Sequence, residues 1–461
     1  MVQTKQKSLM TLTGFLAIST AINANLQAQA VNFNFSYARG TSLEQIVGFE
    51  TAAGIWSKYL TDDVTINLHV GVSSTLPDRV VGGALPGMKA FQSYEGFYNS
   101  LHADKTSAND YTATQNLQAH RYSDGNLRYE AIFEEGATWY NKNIALTNAN
   151  AKAIGLLGNS SALDGSILLS DLSKTNYSWN YDFNRDSSVN SSSLDFLSVA
   201  LHEIGHTLGF VSSVDAAEKA DSHASYSENI ERLMNTTALD MFRYSDYSHN
   251  INKLELAAGE NSYFSIDGGD TKIADFARGK KDLGLGSDGF QGSHWKDNKY
   301  NPLGIMGPTI RGGERRNILQ LDLQALDVIG WDVSTNAYIN LDEIEIEAKQ
   351  RVAQKIANKW GLSTGYSSWI DSYISNGAND TAAAWITQDL TAELDQMIRD
   401  SKLYEIGYGH LFQEVFLENA YHSTLADSPD PASVPEPSAL GLIGLTAFVI
   451  KASRRREAHR G

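Results

Sequence analysis

The sequence predicts an α+β chain, and three segments carry that expectation. Ile66, Leu68, Val70 and Val72 alternate with Asn67, His69 and Gly71, the period of a half-buried strand. Ser42 with Gln45 has capping-box spacing and opens a helix to about Leu60 through Ile46, Phe49, Ala53 and Trp56. Leu194, Leu197, Leu201, Ile204 and Leu208 form an apolar stripe that buries one face of a further helix.

The remaining elements follow in chain order. Residues 91–103 read as a weak helix, and Tyr129–Phe133 and Ile167–Leu169 as strands. Asn176–Asn190 is polar, aromatic and loop-like. Ser192 with Asp195 has the spacing of a second capping box, placed to start the helix that carries the leucine stripe. A long Gly-, Asp- and Asn-rich stretch from 212 to 318 is broken by a helical piece near 228–243. Leu319–Ile329 is a helix closed by Gly330, Trp331 and Asp332. After residue 340 glycines become few, and Glu343–Trp360, Ala382–Arg399 and Leu403–Asn419 read as helices of a separate C-terminal appendage.

Composition narrows the function classes. A chain of 461 residues exceeds the usual single-core size. The formal net charge is −17, and both terminal segments are net basic, so the body is more acidic still. Such a body is a poor nucleic-acid binder, because phosphate contacts need dense Lys and Arg. With no cysteine, disulfides and thiolate ligands are excluded. Any zinc must be held by histidine, carboxylate and water.

The segment His202-Glu203-Ile204-Gly205-His206-Thr207-Leu208-Gly209-Phe210 carries the chemistry. On a helix His202 and His206 lie one turn apart on one face, so both imidazoles reach one metal ion. Glu203 stands beside them, where a carboxylate can take a proton from an attacking water. Gly209 follows where a helix ends through a left-handed residue without strain. Two ordinary surface histidines are the bland alternative.

Catalytic zinc usually has three protein ligands and an open position, and three completions of the site compete. A histidine six residues after His206 would be the short solution, but Ser212 stands there. A Glu from a following helix is the second, with Glu228 at the right distance and Glu218 and Glu231 as neighbours. The third is distant: His294 in Gly292-Ser293-His294-Trp295, with Met306 downstream in a turn rich in glycine and proline. Tyr244 and Tyr247 are candidate oxyanion donors, whereas His120 and His223 read as ordinary loop residues. The acidic loops around Asp267–Asp275 and Asp282–Asp297 offer the oxygen ligands calcium prefers, solvated loops without an ion being the alternative.

Both ends read as processing signals. Lys5 and Lys7 precede the apolar run Leu9–Ile22, and Ala28-Gln29-Ala30 has the small-x-small pattern of a signal peptidase site, so residues 1–30 are expected to be a signal peptide. At the other end, the linker 423–433 leads to Pro435-Glu436-Pro437, the apolar run Ala439–Ile450 and Arg454-Arg455-Arg456. This tail, residues 434–461, resembles the PEP-CTERM sorting signal of Gram-negative bacteria. The resemblance implies export to the surface or medium, transient membrane association through a segment present only in the precursor, and removal by an exosortase.

The pattern His202-Glu203-x-x-His206-x-x-Gly209-Phe210, a long insertion, Ser293-His294-Trp295 and Met306 resembles the leishmanolysin branch of the metzincin metalloproteases. That resemblance implies His202, His206 and His294 as zinc ligands, Glu203 as general base and Met306 as the Met-turn. It also implies a twisted mixed sheet packed on a central active-site helix, forming a catalytic domain over 31–337, with the helical region at 338–422 appended. The expected activity is a zinc-dependent endopeptidase acting on extracellular proteins. A surface or matrix binding protein on the same scaffold and a non-peptidase zinc hydrolase are the alternatives. The chain departs from the eukaryotic members in lacking cysteine, so any latency must use another ligand.

Overall fold

The computed structural model describes residues 30–74, 76, 80–134, 137–214, 236–279 and 286–360, with parts of 370–397 and residues 433–435. The signal-peptide reading, the first half of the helix expected near 228–243, the helix expected at Leu403–Asn419 and nearly all of the sorting tail lie outside these residues.

The chain is mixed α+β. Its first helix, Leu43–Tyr59, starts where the capping box predicts. The Ser42 side chain accepts from the Gln45 amide at 3.3 Å, and Gln45 Oε1 accepts from the Ser42 amide at 2.8 Å. This helix connects two parallel strands, Asn32–Ala38 and Thr65–Ser73, which no tight turn can join. Gly165–Ser170 adds a third parallel strand, and Gly82–Pro86 closes the sheet as an antiparallel edge. At the opposite edge Thr387–Gln388 pairs parallel to the first strand, inside the segment expected to be helical.

Two sequence expectations are corrected by packing. The strand at 65–73 is buried on both faces rather than half-buried. Ile66, Leu68 and Val70 join the hydrophobic core, and the polar row is covered and hydrogen-bonded instead of solvated. Asn34 donates to Asn67 Oδ1 at 2.9 Å, and Ser36 Oγ lies 2.9 Å from His69 Nδ1. Burial lowers the His69 pKa.

The second correction concerns the helical appendage. Helix Leu341–Trp360 packs along the first helix, with Ile344, Ala348, Val352 and Ile356 in the main core. At this contact Glu50, fully buried, accepts from Tyr37 Oη at 2.5 Å, Arg351 Nε at 2.7 Å and Lys355 Nζ at 3.0 Å. Burial raises the pKa of this carboxyl, but Lys355, Arg351 and the Tyr37 hydrogen bond together leave a net lowering. The helix is therefore bolted to the core through a buried charge that would be costly to leave unpaired.

The central helix, Phe196–Leu208, lies against the first helix, the edge strand and Gly165–Ser170, and all its residues are buried. It begins later than the Ser192 capping box implies. Ser193–Asp195 pairs as a short strand with Ser178–Asn180, so the backbone stays extended up to Asp195, which is itself the cap. Its Oδ2 accepts from the Ser198 amide at 3.0 Å and from Arg185 Nη2 at 2.7 Å. The other end stops at Gly209, whose φ of +122° suits a residue without Cβ. There Trp331 Nε1 donates to the otherwise terminal Leu208 carbonyl at 2.8 Å.

One acidic neighbourhood makes a stability prediction. Asp62 is buried, accepts from the Asp332 amide at 3.0 Å, and has the Asp332 and Asp104 carboxylates nearby. Burial first, then those charges, push its pKa up to about 8. A carboxyl held protonated in the fold contributes stability that is lost as pH rises from near 4 through 8. Asp62→Asn keeps an acceptor and removes the charge. It is expected to gain on the order of 1 kcal/mol at pH 8, about 1–2 °C in Tm for a chain of this size, with the gain shrinking toward pH 4. Thermal melts of both proteins across that range check this; an equal difference at all pH values would refute it.

Candidate metal centre

His202 and His206 project from successive turns of the central helix, and His294 arrives from the far end of the long insertion. All three are buried, and one ligating nitrogen from each lies within 4.8 Å of the others. His202 Nε2 and His206 Nε2 are 2.9 Å apart, and the His294 ring stacks on His202 with centroids at 5.3 Å. The distant-histidine completion is the one brought together. Glu218, Glu228 and Glu231 lie outside the described residues.

The ring orientations follow from what holds the opposite nitrogens. His202 Nδ1–H donates to the Ile305 carbonyl at 2.6 Å, His206 Nδ1–H to the Phe210 carbonyl at 2.7 Å, and His294 Nδ1–H to the Gln291 carbonyl at 3.2 Å. A carbonyl only accepts, so each Nδ1 carries a proton and Nε2 is the atom left to face the cluster. Two Nε2 atoms at 2.9 Å need a proton or a metal cation between them. Three imidazoles converging this way fit a borderline metal such as zinc.

His294 comes beside the helical pair because the chain around Ser212 and the chain around Ser293 meet at one neck. The Ser212 amide donates to Ser293 Oγ at 3.0 Å, although the two residues are 81 positions apart. Ser212, where the short arrangement would carry a histidine, thus stands against the neighbour of the residue that replaces it. Asp240 locks this neck, accepting from Ser212 Oγ at 2.5 Å, the Ser213 amide at 2.8 Å and the Thr237 amide at 3.0 Å. Arg243, fully buried, lies over the Phe276 ring at 3.9 Å and donates to the Gly292 carbonyl. Trp295 fills the space behind, stacked on Phe276 at 5.1 Å and edge-on to Phe210 at 4.9 Å.

Glu203 is fully buried and faces the edge strand, where a Cβ on Gly82 would collide with its Oε1. Met306 is buried under the central helix, its sulfur so close to Gly205 that a Cβ there would overlap it. Its amide is tied to Asp322 Oδ1 at 3.2 Å, and its carbonyl accepts from the Trp295 amide at 3.0 Å. Asp322, Asp240 and Gly82 carry no signal in the sequence, whereas Asp195 stands there as the partner of Ser192 rather than as the cap.

The other sequence candidates fall elsewhere. Tyr244 is buried within the insertion, its ring near Gly269, and Tyr247 projects to solvent. His120 sits in a short strand, and His223 lies outside the described residues. Among the described residues the three histidines are the one group that assembles as a metal site. In the loops proposed for calcium, Asp267 is satisfied by Ser265 and Thr271, Asp275 pairs with Lys296, and Asp282 lies outside the description.

Comparison with known proteins finds the PEP-CTERM protein-sorting motif at residues 433–456. No curated protein and no solved structure matches the chain. The motif marks export to the cell envelope or surface of Gram-negative bacteria and implies processing by an exosortase. Among the described residues no helix is long and apolar enough to cross a membrane.

The Met306 contact predicts an inverted substitution effect. Gly→Ala inside an open helix gains roughly 1 kcal/mol. At Gly205 the new methyl would meet the buried Met306 side chain, and overpacking of this kind costs about 1–3 kcal/mol. Gly205→Ala is therefore expected to be destabilised in urea unfolding; a gain in stability would show that Met306 yields freely.

Proposed function

We propose that this exported chain is a zinc-dependent endopeptidase whose catalytic region has the metzincin-like organisation that the sequence resembles. The observation that carries this reading is the convergence of His202, His206 and His294, each ring aimed by a backbone carbonyl. Three nitrogen ligands, with no fourth His, Asp or Glu in the group among the described residues, suit a catalytic site that keeps a position open. A closed structural site would need a fourth protein ligand. Zinc held there would supply a Lewis acid that acidifies water and polarises a carbonyl oxygen.

The chain's own residues would supply the rest. Glu203 follows the first ligand directly and is buried beside the edge strand, which favours proton transfer over solvent contact. As general base it would take the proton of the water attacking the peptide carbonyl carbon. It would then hand that proton to the leaving nitrogen as the C–N bond breaks. Among the described residues Gly82–Pro86 ends the sheet and is itself buried, and an extended substrate added there as a further strand would bring its backbone near Glu203. The bare Gly82 leaves room for the Glu203 carboxylate beside that strand. Export would bring such an enzyme to extracellular protein substrates.

Zinc stoichiometry and cleavage of an unfolded protein by the purified chain test the reading together. The wild type is expected to hold one zinc and cleave. Glu203→Gln should keep the zinc and lose about 10²–10⁴-fold in rate. His294→Ala should lose most of the zinc. Wild-type cleavage by Glu203→Gln, or full zinc retention by His294→Ala, would overturn the assignment.

A further inference from the structure

Asp322 lies on the helix Gln320–Val328, outside the histidine cluster, and is fully buried. Its two oxygens accept four hydrogen bonds. Oδ1 takes Trp295 Nε1–H at 2.9 Å and the Met306 amide at 3.2 Å. Oδ2 takes the Ile305 amide at 2.9 Å and the Leu319 amide at 2.8 Å. No cationic side chain among the described residues pairs with it, and a Cβ on Gly304 would collide with its carboxylate. The pocket is shaped for an acceptor-only group.

The Met306 N–H and the Ile305 C=O belong to the same peptide unit. That carbonyl is the one that receives His202 Nδ1–H at 2.6 Å. A continuous chain thus runs from the Asp322 carboxylate through one peptide unit to the imidazole of the first proposed ligand. Hydrogen bonds in series polarise one another. A negative charge at the peptide N–H makes its carbonyl a stronger acceptor and holds the imidazole that donates to it more firmly. The other Oδ1 bond fixes the indole of Trp295, the residue next to His294. Carboxylates bonded directly to ligand histidines act in this way in many metal sites; here a peptide unit stands between.

Resting on the zinc reading above, we infer that Asp322 is a positioning residue for the metal centre. It orients His202 through the Ile305–Met306 peptide, and it registers the His294 segment through Trp295. Asparagine is nearly isosteric but offers one accepting atom and one NH₂. It would set donor against donor at two of the four bonds.

The experiment compares zinc affinity, by chelator competition, and the absorption spectrum of the cobalt(II)-substituted protein in the wild type, Asp322→Asn and Asp327→Asn. Asp327 lies on the same helix, bonded to Ser107 and Asn109, and serves as the control for a general loss of helix packing. Asp322→Asn is expected to bind zinc about 10–100-fold more weakly and to shift the cobalt spectrum, with Asp327→Asn like the wild type. If Asp322→Asn does not fold, Trp295→Phe removes one of the four bonds and should still weaken zinc several-fold. Wild-type affinity and spectrum in whichever of these folds would overturn the positioning role while leaving the zinc site intact. So would an equal loss in Asp327→Asn. Failure of the wild type to bind zinc would overturn the zinc reading and this inference with it.

Discussion

Three imidazoles can share one cation only if each is turned to the same point before the cation arrives, and in this protein backbone carbonyls do the turning. Ile305, Phe210 and Gln291 each accept an Nδ1–H, so the ring protons are directed outward and the lone pairs inward. The carbonyls come from three different segments. The geometry of the site is therefore only as good as the registration of those segments, and much of the surrounding structure serves that registration.

The central helix is held at both ends for the same reason. Asp195, Arg185 and Arg316 gather around its first turn, with the Arg316 amide donating to Ser198 Oγ at 2.7 Å. Trp331 caps its last carbonyl, and Trp56 Nε1 donates to the Leu201 carbonyl at 3.0 Å in its middle. The insertion is registered by buried polar groups: Asp240 and Arg243 at the neck, Asp322 beneath the methionine turn. Groups of this kind are expensive to bury unless nearly every lone pair and proton is used. Both oxygens of Asp240 and of Asp322 are engaged, and the result favours one arrangement of loops that apolar packing alone would leave loose.

Close approach is the other recurring device. Gly82 lets the edge strand pass Glu203, Gly205 lets Met306 lie under the helix, and Gly304 leaves room for the Asp322 carboxylate. Each glycine gives up side-chain packing to bring a functional group within contact of backbone. A helix-interior glycine costs stability by itself, so the presence of Gly205 between His202 and His206 points to the neighbour it accommodates.

Much of this protein is legible in the order of its residues. Capping at Ser42, the alternation at 66–72, the histidine pair with Glu203, the stop at Gly209 and the sorting motif near the C-terminus all depend on neighbours a few positions apart, and local periodicity reports such relations faithfully. His294 and Met306 were placed by a pattern of spacing, but the sequence left a glutamate as a rival because spacing alone carries no direction. Tertiary structure decided the rest. It showed that Ser212 and Ser293 meet, that Leu341–Trp360 shares the main core, and that Asp195 rather than Ser192 caps the central helix. It also showed that Asp322 reaches His202 through a peptide. These relations join groups far apart in the chain through backbone amides and carbonyls, which every residue possesses and no residue name reveals.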